Sequence, residues 1–162
     1  MAEGFICGRG RGGKLGPLEP FVDGYGIENW TAEGSHASIG KTLKVSLPSG
    51  ETQDSVISSK PISINGISKV QFMLFLQYES GPDRYSYGVV VYIKPEDGGD
   101  ILATRTVNSN IGPSLVELEV PMHDASKKYI ICIATEYVRS GGYCPTAEVS
   151  RVSLIPNGGY FG

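Results

Sequence analysis

Side chains alternate between apolar and polar along most of this chain, and no stretch repeats its apolar residues at the 3.6-residue spacing of an amphipathic helix. In Ser68–Tyr78, the residues Val70, Phe72, Leu74, Leu76 and Tyr78 share one face, and Gln71, Met73, Phe75 and Gln77 share the other. That second face is half apolar, which predicts a central strand covered on both sides. Tyr87, Val89, Val91 and Ile93 form one row in Tyr85–Lys94, and Leu43, Val45 and Leu47 form another in Thr42–Leu47. Ile101–Val107, Leu115–Val120, Tyr129–Val138 and Thr146–Ile155 complete the strong strands. Val56–Ser58 and Pro61–Ile64 are weaker, and Pro61 restricts its segment to an edge or a strand start.

Turn chemistry separates these runs. The chain holds 22 glycines and 10 prolines, which cluster at Pro48–Gly50, Asn65–Gly66, Gly81–Asp83, Pro95–Gly99, Asn108–Pro113 and Ser140–Gly142. The connections are too short for parallel crossovers, so neighbouring strands pair antiparallel. Eight or nine short strands with this punctuation predict an all-β protein, an antiparallel β-sandwich or a barrel. A length of 162 residues suits a single domain. Its expected organisation is a Gly-rich N-terminal arm over residues 1–17, a sandwich over 18–156, and a C-terminal tail over 157–162. The tail either frays or docks on a neighbouring subunit through Tyr160 and Phe161.

Charge narrows the partners. A net charge of −3 and a pI near 5.4 argue against a surface that works by neutralising phosphates, so no nucleic-acid partner is expected. Apolar runs such as Phe72–Leu76 fall far short of the ~20 residues of a membrane helix, so no membrane insertion is expected. The first residues lack the apolar core of a secretory signal. Three cysteines, Cys7, Cys132 and Cys144, are too few and too irregular for a disulfide framework or a zinc site. Cys132 reads as a buried hydrophobe, with a Cys132–Cys144 bridge as the alternative.

Motifs for catalysis and cofactors fail on inspection. Gly8–Lys14 has the letters of a phosphate loop, but Leu15 replaces the magnesium-holding Ser or Thr. Gly40-Lys-Thr42 has the right ending, but Ser35 replaces the first glycine and a strand follows instead of a helix. Arg9–Gly13 has too few arginines for an RGG-type arm, and Asn29-Trp-Thr31 is a glycosylation sequon by its letters. His36 and His123 lie far apart, and no serine sits in a nucleophile elbow. Glu117 and Glu119 share a strand face at the spacing of a carboxylate pair. The inward stripe of Val116, Leu118 and Val120 assigns them to a solvated face. No enzyme and no cofactor are expected; calcium, through Asp23, Glu28, Asp97 and Asp100, is the one weak candidate.

Nine tyrosines against one tryptophan give the chain its most distinctive chemistry. Tyr78, Tyr85, Tyr87 and Tyr92 gather around one expected hairpin with Arg84, and Glu136, Tyr137, Arg139 and Tyr143 flank another loop. A tyrosine offers a flat apolar face and a hydroxyl, which suits sugar rings and protein epitopes alike. The expected ligand-binding set is Tyr85, Tyr87, Tyr137 and Tyr143 for stacking, with Arg84, Glu136 and Arg139 bonding hydroxyls.

The order of features also carries a resemblance. Phe21 is followed by Asn29-Trp30, by Leu43–Leu47 with Ser49-Gly50, by Val70–Leu76, and by a closing Ala147–Ile155. This order resembles the galactose-binding-like jelly-roll sandwich of carbohydrate-binding modules. The resemblance implies jelly-roll topology and a non-catalytic module that recognises carbohydrate, a glycan or cell-surface polysaccharide. Ser150 and Arg151 stand where that family's last strand usually carries two acidic residues, a departure at its usual calcium site. The Gly-rich start and the Tyr-rich jelly roll also resemble phage tail-fibre and head-decoration proteins. That likeness implies a virion or extracellular-surface protein made in the cytoplasm, receptor binding, and a homotrimer. The alternative it implies is a structural virion protein acting through contacts with other virion proteins.

Overall fold

Eleven short runs of these residues extend into strands. They are Phe21–Val22 (β1), Trp30–Glu33 (β2), Ala37–Ile39 (β3), Leu43–Ser46 (β4), Val56–Ser59 (β5), Ile67–Ser80 (β6), Tyr85–Pro95 (β7), Ala103–Val107 (β8), Ile111–Glu119 (β9), Tyr129–Ser140 (β10) and Tyr143–Pro156 (β11). A single 3-10 turn, Ile27–Asn29, precedes β2. The computed structural model describes residues 18–47, 55–80, 85–107, 111–140 and 143–158. Of these, residues 78–80, 85–87, 136–140 and 143–144 are described by their backbone alone. The expected arm, residues 1–17, lies outside the described residues.

The strands form two layers. One runs β2-β5-β10-β7-β8. The other runs β3-β4-β11-β6-β9, with β1 continuing along β11 past the end of β4. Every pairing within a layer is antiparallel. One parallel register pair, Tyr143 opposite Ser86, joins the layers at one end. This is a jelly-roll β-sandwich.

Alternation explains the interior. Val70, Phe72, Leu74 and Leu76 of β6 face Val89, Val91 and Ile93 of β7 and Ile131 and Ile133 of β10 across the sandwich, and all are buried. Phe21 and Trp30 close the core at the side, where the Trp30 indole N–H donates to the Pro20 carbonyl at 3.3 Å. Along β11 the buried row changes parity. Ala147 and Val149 point inward, and then Val152 and Leu154 do so. The change falls where the register with β6 slips between Val149 and Arg151. Ser150 is the extra residue of this bulge, and its carbonyl accepts the Asp23 N–H at 2.8 Å.

Several expectations need correcting. Eleven strands form where eight or nine were expected, because β1, β2 and β3 are too short to show an alternation of their own. Pro61–Ile64 contributes only the bridge Ile62–Tyr129. β9 starts at Ile111, inside the expected turn, and Pro113 fits there because the strand is an edge whose register slips at that point. β6 is central in its layer, yet its second face, with Gln71, Met73 and Phe75, is half-buried and not covered by a further layer. Cys132 is a free, buried thiol beside Ser58, which excludes the alternative of a bridge, and burial pushes its pKa up.

Candidate functional site at the loop end

Strand direction sorts the connections between the two ends. β6 and β10 finish, and β7 and β11 begin, at the same end of the sandwich. The exit of β4, the start of β5, the end of β8 and the start of β9 lie toward that end too. Four connections, β4–β5, β6–β7, β8–β9 and β10–β11, therefore gather there. β6 and β7 do not form the expected hairpin, because they lie in opposite layers and the chain changes layer between them. It changes layer again between β10 and β11, and the strand ends that flank each change form an arch. Since β6 pairs β11 while β7 pairs β10, these strand ends lie side by side.

Most of the tyrosine set falls on the feet of these arches. Tyr87 pairs with Tyr137, Gly88 with Glu136, Ser86 with Arg139, and Tyr85 with Ser140. Tyr143 pairs with Ser80 on one side and with Ser86 on the other. Residues directly opposite on antiparallel strands sit about 4.5–5.5 Å apart at Cα. The register slips once, between Tyr137 and Arg139. The backbone thus brings Tyr85, Tyr87, Glu136, Tyr137, Arg139 and Tyr143 together. Arg84, and the side chains of these six, lie outside the described residues.

Tyr92 does not belong to the group. It pairs with Cys132 in mid-strand, seven residues and roughly 23 Å of strand from Tyr85. Just inside the arches, the Thr135–Val89 pair is buried, and the Thr135 hydroxyl has no hydrogen-bond partner among the described residues.

The other candidates are structural. Glu117 lies on the outer face of the β9–β6 pair, where Gln71 Nε2 donates to it at 2.6 Å and Lys69 Nζ at 3.2 Å. These two hydrogen bonds, the Gln71 one first, hold its carboxyl below the ordinary value. The Thr42 hydroxyl donates to Glu148 at 3.0 Å, and β4 follows the Gly40–Thr42 turn directly, so that turn cradles no phosphate. The sequon amide of Asn29 donates to the Pro20 carbonyl at 3.1 Å. His36 lies near the loop end, its N–H donating to Ser55 Oγ at 3.1 Å, whereas His123 lies at the opposite end. Among the described residues, no three His, Cys, Asp or Glu side chains group as metal ligands would. No helix there is long and apolar enough to cross a membrane.

A cleft of about 500 Å³ at the end opposite the arches escaped the sequence reading. Asn65 and His123 line it. The Asn65-Gly66 turn and His123 were both visible in the sequence, but nothing local placed them together.

No family model matches the sequence, and no curated protein matches it. Solved structures do match in shape. A carbohydrate-binding module described as specific for non-crystalline cellulose, CBM28, superposes with a TM-score of 0.57 at 14% identity, covering 88% of this chain and 94% of that one. This chain has that module's fold. A second match, TmCBM61 in complex with β-1,4-galactotriose, has a TM-score of 0.48 at 11% identity, covering 81% of this chain and 90% of that one.

Proposed function

We propose that the chain is a non-catalytic binding module for carbohydrate, with its site on the paired arches. The observation that carries this reading is the register that sets Tyr87 opposite Tyr137, and Ser86 beside both Arg139 and Tyr143. Tyr85, Tyr87, Tyr137 and Tyr143 stack on the C–H faces of sugar rings, while Arg84, Glu136 and Arg139 bond the hydroxyls. The fold shared with a module described as specific for non-crystalline cellulose supports polysaccharide as the ligand class. Glu117 is occupied by Lys69 and Gln71, and the two histidines sit at opposite ends, which favours binding over hydrolysis. No cofactor enters this reading. We place the module on a virion or a larger extracellular protein, where several copies supply avidity to a shallow site.

Glycan-array binding of the intact chain and of the Tyr85→Ala and Tyr137→Ala variants tests the assignment. Each substitution is expected to weaken binding on the order of tenfold, about 1.4 kcal/mol. Unchanged binding in both variants removes the arches as the site. Binding to protein partners with none to glycans would favour the structural virion role instead.

A further inference from the structure

In the cleft at the far end, His123 sits between two hydrogen-bond acceptors. Its ring Nδ1 lies 3.0 Å from the Pro121 carbonyl, and Nε2 lies 3.1 Å from Asn65 Oδ1. A carbonyl only accepts, so the Pro121 side calls for an N–H on Nδ1. The Asn65 amide is oriented by a third group, because its Nδ2 donates to the Ala125 carbonyl at 3.0 Å. Turning that amide over would set its oxygen against the Ala125 carbonyl, so Oδ1 is the atom left to face His123. Both ring nitrogens therefore face an acceptor. Only the imidazolium, with an N–H at each nitrogen, satisfies both at once. The neutral ring carries one N–H and leaves a lone pair against an oxygen.

The surroundings suit a positive ring. Asp124 follows His123 directly, and Ser126 donates to its Oδ1 from the hydroxyl at 2.6 Å and from the N–H at 2.9 Å. These bonds, the hydroxyl first, and then the charges of Lys127 and His123 hold the Asp124 carboxyl below its ordinary value. A carboxylate thus accompanies the ring wherever histidine titrates. Lys127, on the same connection, pairs with Asp97 at 3.6 Å, and Tyr129 of β10 stands edge-on to the ring with centroids 5.6 Å apart. The β5–β6 turn, β6 and the end of β11 line the cleft with Asn65, Gly66, Ile67 and Asn157, none of which titrates.

The two contacts differ in reach. Pro121 is two residues from His123, whereas Asn65 is 58 residues away, so the second contact alone ties separate parts of the chain. We propose that His123 is a proton-dependent clasp. As the imidazolium it holds the β5–β6 turn to the β9–β10 connection, and when its Nε2 proton passes to solvent the Asn65 wall of the cleft is released. The neutral ring keeps its local bond from Nδ1–H to Pro121, and the bare Nε2 then faces Asn65 Oδ1. Relief comes only if the Asn65 amide moves, away from the ring or over to donate from Nδ2, and either movement breaks a bond of the present network. The cleft of about 500 Å³ is held in one shape in acid and freed as the pH rises.

The test is NMR of the intact chain from about pH 5 to 8, following the histidine ring nitrogens and the asparagine side-chain amides. Both His123 ring nitrogens are expected to carry protons at the acid end. As the pH rises, Nε2 should lose its proton while Nδ1 keeps its own, and the Asn65 amide pair should shift with the same midpoint. His123→Gln should abolish that shift and leave the curve of His36, at the other end of the molecule, as it is in the intact chain. An Asn65 amide that stays still while His123 titrates, or that moves alike in the variant, overturns the proposal. A neutral ring protonated at Nε2 overturns it equally, since the Asn65 contact would then survive.

Discussion

Thr135 carries a cost that the rest of the interior avoids. Its hydroxyl is buried between the layers without a partner among the described residues, beside Val89 and close to the arches. An unpaired buried hydroxyl costs about 1–3 kcal/mol, and valine has the same shape without it. Thr135→Val should therefore stabilise the protein by about 1 kcal/mol, read as a raised midpoint in urea denaturation. A lowered midpoint would mean that the hydroxyl is satisfied in solution. Glu117 makes the opposite case, since its carboxylate is bonded but more than a third exposed, so solvent screens most of its worth. Individual side chains were well legible in the sequence wherever a strand was long. Val70, Phe72 and Leu74 take the buried row that alternation assigned them, and so do Val116 and Leu118, with Glu117 and Glu119 on the other face. Trp30 is a core plug.

At the level of elements, the bulge in β11 keeps one buried row across a change of parity. Ala147 and Val149 face the core before it, and Val152 and Leu154 after it. Deleting Ser150 would leave all four in strict alternation on one face, because removing one residue cancels a one-residue slip. The variant is expected to keep the cooperative urea transition, with a midpoint lowered by loss of the carbonyl that accepts the Asp23 N–H. Inserting an alanine after Ser150 should instead abolish the transition, because it turns Val152 and Leu154 away from the core. A folded insertion variant, or an unfolded deletion variant, would contradict this account. The adjacent polar residues Ser150 and Arg151 between Val149 and Val152 mark this shift in the sequence, but its partner, the Asp23 N–H more than a hundred residues away, is visible only in the fold. Strand partners were equally hidden. β6 and β7 follow one another with a short turn between them, which reads as a hairpin, but β6 pairs β11 and β7 pairs β10. Local pattern gives a strand and its faces; the choice of neighbour depends on how two whole layers close over one core.

The whole molecule divides into two ends with different chemistry. One gathers the arches and the tyrosine-bearing strand ends. The other holds the hydrogen-bonded cleft around Asn65 and His123. The layered architecture was legible from period and turn spacing, and its match in shape to a carbohydrate-binding module agrees with it. The grouping of Tyr85, Tyr87, Tyr137 and Tyr143 was legible only as proximity in sequence to two loops. Their actual closeness comes from the register of β7 with both β10 and β11, which no local pattern encodes.

The central claim is that these arches bind sugar. An amide-resolved NMR titration with a soluble oligosaccharide, from whichever class the array retains, tests it most directly. The expected result is saturable shifts concentrated at residues 85–88, 136–140 and 143, with the His123 end unchanged. Shifts confined to the outer face of β6, or to the cleft around Asn65 and His123, would contradict it.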